Sequence, residues 1–107
     1  MESQIAIVQT TLDDDTKAQA LALELLDARL AACVQLISNV RSFYCWQGRC
    51  ENSLETLLTL KTTPELATRV RDWLASRHPY EVPEIIIDEV SASEAYARWV
   101  RQQVCAP

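Results

Sequence analysis

One glycine in 107 residues is the strongest constraint on this chain's fold. Glycine is the default residue where the backbone needs a positive φ, so a chain with so little of it has few places for tight left-handed turns. Long regular elements joined by few loops are expected. The one glycine, Gly48, sits in Gln47-Gly48-Arg49. On one side lies an extended stretch, Ala31 to Trp46, rich in Val, Leu, Ile and aromatics. On the other, Leu54 to Lys61 carries Leu54, Leu57, Leu58 and Leu60. Two strand-like segments around a glycine turn predict a hairpin, long for so small a chain. Ser38-Asn39 interrupts the first arm and suggests a bend or bulge.

The remaining elements follow from periodicity. Ile5, Ala6, Ile7 and Val8 mark a buried strand over 4–10. Ala18, Leu21, Ala22, Leu25 and Ala28 fall at helical spacing in a helix ending near Leu30. Asp13, Asp14 and Asp15 stand at its start, where carboxylates accept hydrogen bonds from free N–H groups. A calcium loop would need a Gly and a bidentate Glu at fixed offsets, and both are missing. Thr63-Pro64-Glu65 reads as a hydroxyl cap, a proline at the first helical position and an acid. Leu66, Ala67, Val70, Trp73 and Leu74 share a face of that helix, which stops before Pro79. Glu84 to Val90, with Ile85, Ile86 and Ile87, reads as another strand. Ser91 and Glu94 have the spacing of a capping box, and Tyr96, Trp99, Val100 and Val104 stripe a last helix.

The order βαββαβα is α+β. Its first six elements make the ferredoxin-like split βαβ pattern, a four-stranded antiparallel sheet with two helices on one face, followed by a C-terminal helix. One domain over residues 1–107 is expected. Two helices cannot cover so long a hairpin, and the excess would expose apolar surface and free strand edges. Sharing those strands among copies in a closed ring, a trimeric assembly, removes both problems.

Charge and composition narrow the function. The ten basic residues are dispersed and the net charge is -5, so no phosphate-tracking stripe exists and nucleic acid is not an expected partner. No apolar run reaches a membrane span, and the N-terminus lacks a secretory pattern, so no membrane partner and a cytoplasmic location are expected. Cys33, Cys45, Cys50 and Cys105 are then reduced thiols, and they match no zinc spacing. Cys45 and Cys50 flank the turn and would face each other, as two free thiols, a disulfide or a pair for a soft metal ion.

The segment His78-Pro79-Tyr80-Glu81-Val82-Pro83-Glu84 holds the only histidine. Its prolines push His78 and Val82 towards extended geometry, which aims an imidazole, a phenol and two carboxylates. The plainer reading is a proline-bounded connector with His78 as a polar cap. Leu30-Ala31-Ala32-Cys33-Val34, Tyr44-Cys45-Trp46-Gln47-Gly48-Arg49, Leu60-Lys61-Thr62 and this His-Pro-Tyr segment, in that order, resemble the CutA family of divalent-cation tolerance proteins over nearly the whole chain. The resemblance implies a homotrimer linked to copper and divalent-cation homeostasis, with weak to moderate metal binding between subunits and no catalysis. Cu2+ or another divalent cation is the implied ion, and no obligatory cofactor is implied. By the same resemblance His78 and Cys33 are metal ligands, while Trp46, Lys61, Tyr80 and Glu84 line a cleft between subunits. Where some members have a further cysteine and a further histidine, this chain has Gln9 and Arg77. The fold also resembles that of PII signalling trimers, so a small-ligand-binding regulatory trimer and a scaffolding or anchoring trimer are the alternatives. Cys33 also has an ordinary reading as a small buried hydrophobe.

Overall fold

A computed structural model describes residues 3–106. Strand β1 (Gln4–Leu12) leads into helix α1 (Asp15–Asp27), then β2 (Cys33–Trp46), β3 (Arg49–Thr62), a short 3-10 turn (Pro64–Leu66), α2 (Ala67–Arg77), β4 (Ile85–Ser91) and α3 (Glu94–Gln103). The sheet order is β2-β3-β1-β4 with every neighbour antiparallel, which is the expected ferredoxin-like arrangement.

Strand alternation divides the sheet into two unlike faces. Val8, Leu58 and Leu60 point to one face and pack with Ala18, Leu21 and Leu25 of α1 and Val70 and Leu74 of α2. Residues of opposite parity point the other way. There α3 covers only one end, placing Ala97 and Val100 against Ile5 and Val90. Beyond α3 that second face is only partly covered: Thr11 and Glu55 are buried, and other positions are open. Ile37 and Ile86 stand on it, 59% and 50% exposed.

The helix ends show which local signals decided them. The Asp14 carboxylate caps α1, accepting from the Lys17 N–H at 3.0 Å, as the acidic run suggests. The helix stops at Asp27, short of Leu30, because Arg29 turns left-handed (φ 57). The Leu30 N–H then reaches the Leu25 carbonyl and the Arg29 N–H the Leu26 carbonyl, a Schellman end built on arginine where glycine is usual. The Arg29 guanidinium also donates to the backbone carbonyls of Gln102 and Gln103, and its own carbonyl accepts from the Cys105 N–H. The Thr63 side chain makes no capping bond; its backbone carbonyl holds the Leu66 N–H and opens the 3-10 turn. Ser93, not Ser91, caps α3, accepting from the Tyr96 N–H, since Ser91 is still paired with Gln4 in the sheet.

The β2–β3 ribbon sets the molecule's shape. Each arm has 14 residues, about 46 Å of strand at 3.3 Å per residue. That matches the 45 Å long axis of a body only 24 × 22 Å across. The strand register shifts between Ile37 and Val40, and Asn39 has φ 63, so the expected irregularity is a bulge. The turn is two residues, Gln47 (φ 51) and Gly48 (φ 78), the mirror-image geometry that suits a twisted hairpin. Positive φ is therefore not confined to glycine: Arg29, Asn39 and Gln47 adopt it too.

Candidate functional site

His78 ends α2 in extended geometry (φ -71, ψ 139), as the following proline requires. Its imidazole is held from both sides. The Tyr80 N–H donates to Nδ1 at 3.1 Å, so Nδ1 is an acceptor and the neutral ring carries its proton on Nε2. Nε2 then donates to the Thr11 carbonyl at 2.9 Å. The Tyr80 ring meets the imidazole edge-on at 4.8 Å. Its hydroxyl donates to the Glu55 carboxylate at 2.7 Å. Glu55 is only 8% exposed, so the phenol satisfies a carboxylate largely removed from water. Burial, and then that carboxylate, push the Tyr80 phenol far above its ordinary value, so it stays protonated and donating.

Burial also holds the His78 ring below its ordinary 6.5, against the Thr11 carbonyl and the Glu55 and Asp13 carboxylates, which favour the cation; Lys17 opposes it. The consequence for stability has a definite sign. Below 6.5 the unfolded chain takes up a proton that the folded ring resists. The contribution of His78 is therefore complete above 6.5 and is lost as pH falls through the folded value. Thermal scans between about pH 7 and about pH 5 should show a steeper loss for the native chain than for His78→Gln. Parallel profiles would contradict this account.

Beside this knot lies a polar cleft of about 350 Å3, lined by Asp13, Asp15, Ser38, Asn39, Glu55 and Thr56, with Leu54 at its side. Asp15 accepts from the Ser38 and Thr56 hydroxyls and from the Gln19 amide. These bonds, Ser38 first, hold its carboxyl below the usual range.

The six residues singled out in the sequence fall into separate places within one chain. His78 and Tyr80 are together at the C-terminal end of β1. Glu84 is close by, accepting from the Gln9 amide at 3.1 Å. Cys33 pairs across the ladder with Lys61, which pairs in turn with Ile7. Thr11 lies four residues beyond Ile7, roughly 13 Å along the strand, so His78 and Cys33 are not brought together by one copy. Lys61 donates to the Gln35 side chain. Cys33 is half-buried on the open face and near Tyr96, whose phenol is raised by burial and then by that thiol. Trp46 stands at the ribbon tip opposite Arg49. Arg77 lies over the Trp73 ring at 4.0 Å.

Glu55 and Asp15 organise this end of the molecule, and neither was legible as a site residue. Each is an acid in a polar stretch, and only long-range contacts give it a role. Among the described residues no three His, Cys, Asp or Glu side chains converge to hold a metal ion. All four cysteines are free, with Cys45 and Cys50 opposed and their Sγ atoms 3.5 Å apart. No helix of the described residues is long and apolar enough to cross a membrane.

Comparison with known proteins gives one consistent answer. Residues 6–103 match the family described as CutA1 divalent ion tolerance protein. Protein CutA of Homo sapiens is 39% identical over 93 residues, 86% of this chain, and the chain spans about half (52%) of that relative's length. The divalent-cation tolerance protein CutA of Pectobacterium atrosepticum is 36% identical over 95 residues, 88% of this chain and 86% of its own. Among solved structures, CutA1 from Oryza sativa superposes with a TM-score of 0.93 at 25% identity, over 100% of both chains.

Proposed function

The chain belongs to the CutA1 divalent ion tolerance family, and from that premise we propose that it binds divalent cations, copper among them, as a homotrimer in the cytoplasm, without catalysis. The whole of residues 1–107 acts as one domain in that assembly. The metal site forms between subunits from His78 and Cys33 of different copies, with Trp46, Lys61, Tyr80 and Glu84 lining the cleft around it.

The observation that carries this reading is the open sheet face. Cys33 stands on it, half-buried, and farther along the same face Ile37 and Ile86 are exposed, uncovered by α1, α2 or α3. A second copy laid there buries those side chains and supplies the donors that one copy keeps apart. Both nitrogens of His78 are engaged inside the chain, so a cation must displace either the Tyr80 N–H from Nδ1 or the Nε2 proton with its bond to Thr11. That cost supports weak to moderate affinity rather than tight sequestration. The chemistry at Gln9 and Arg77 points the same way: one holds Glu84, the other covers Trp73, and neither offers a soft donor. The carboxylates of Asp13, Asp15 and Glu55 favour a cation over an anionic metabolite at the His78 end.

Calorimetric titration of the full chain with Cu2+ and Zn2+ tests the assignment. His78→Ala and Cys33→Ser should each weaken binding by more than about tenfold, since even outer partners of a metal commonly matter that much. Unchanged affinity in both variants would remove these two residues from the metal site.

A further inference from the structure

We propose that Cys45 and Cys50 form a dithiolate clamp for a soft, thiophilic cation of the Cu(I) type at the ribbon tip, separate from the site between subunits and independent of it. The turn is only Gln47-Gly48, so Trp46 and Arg49 close the hairpin and Cys45 and Cys50 are the next pair, directly opposed. In an antiparallel ladder the pair after the closing one is not hydrogen-bonded, and its Cα atoms approach to about 4.5 Å, which brings the side chains closest. The two Sγ atoms are 3.5 Å apart. Metal–thiolate bonds of about 2.3 Å set sulfurs about 3.8 Å apart at a tetrahedral ion and about 4.6 Å apart across a linear one. Opening the pair to either spacing takes only small χ1 rotations. Both residues are exposed and each thiol has the other as its hydrogen-bond partner, so they can turn outward into solvent.

The donor set also selects the ion. Two thiolates satisfy a two-coordinate d10 cation, whereas a hard divalent ion wants oxygens. The nearest acid, Glu51, alternates to the opposite face of the ribbon, where it pairs with Tyr44. Binding releases two protons: Cu(I) and two thiols give a bis-thiolate complex of net charge -1, with no electron transferred. On the same face Asn52 holds the Arg41 guanidinium at 2.9 Å, a positive charge on the side where the complex forms. The pair lies between the two strands of one ribbon, so strand pairing by another copy at β2's outer edge would use backbone groups and not these thiols.

The test uses the full chain, reduced, desalted and kept under nitrogen, titrated with Cu(I) against a chromogenic Cu(I) chelator. The native chain and Cys105→Ser should each withhold at least one Cu(I) per chain. Cys45→Ser and Cys50→Ser should each lose more than about a hundredfold in affinity, since losing a ligand exceeds the 10- to 100-fold cost of losing its outer partner. Both positions are exposed, so circular dichroism of the variants should match the native chain. The proposal is overturned if these two variants hold Cu(I) as tightly as the native chain. It is equally overturned if the native chain holds none while both thiols react as free. Cu2+ and Zn2+ titrations of His78 and Cys33 variants report on the other site, so failure of one assignment leaves the other standing.

Discussion

Replacing Ile37 and Ile86 together with lysine should convert a trimer into a folded monomer in sedimentation or light scattering. Both side chains stand on the sheet face that α1 and α2 do not cover, and both are at least half exposed in the single chain. Within one chain, surface substitutions of this kind cost little, within about 0.5 kcal/mol. In the assembly each lysine would put an unpaired ammonium where apolar surface should be buried, at several kcal/mol per site. With two sites in each of three copies, the total exceeds what an ordinary interface supplies. A double variant that stays trimeric would move the interface off this face. A native chain that is already monomeric at micromolar concentration would remove the trimer altogether.

Leu58→Ala should be among the most damaging single truncations in the core. Leu58 is fully buried on β3, in the cluster that joins the sheet to α1 and α2. Truncating a buried leucine removes its transfer free energy and leaves a cavity, costing about 2–5 kcal/mol. A chain of this size has about 5–15 kcal/mol in all, so the guanidinium midpoint should fall sharply. Leu23→Ala, on the solvent side of α1 at 69% exposure, should move it by less than about 1 kcal/mol. Both need the same chain concentration, because assembly adds to apparent stability. Equal losses at 23 and 58 would contradict the packing described.

The sequence made the order of elements readable because apolar period and proline placement act locally. His78 is extended for the reason its proline predicts, and Asp14 caps α1 as an acid at that point should. What escaped was decided at a distance. The first residues of β3, Arg49 to Ser53, have no apolar alternation and are strand only because β2 pairs with them. Ser91 has the spacing of a cap, yet its backbone belongs to the ladder with Gln4, and the helix starts from Ser93. Glu55 looks like a solvated acid until Tyr80, 25 residues on, folds back to donate to it. The separation of Cys33 from His78 could not be read either, since it depends on the strand register that sets Cys33 level with Lys61 and Ile7, four residues short of Thr11.

Arg29 gives the last helix its anchor. Glycine would relax into that left-handed conformation without steric cost, and by local rules the exchange is an improvement. Here the same residue grips the far end of the polypeptide through Gln102, Gln103 and Cys105. It works as a rivet between the first helix and the last, and trading it for glycine would swap steric comfort for a loose tail.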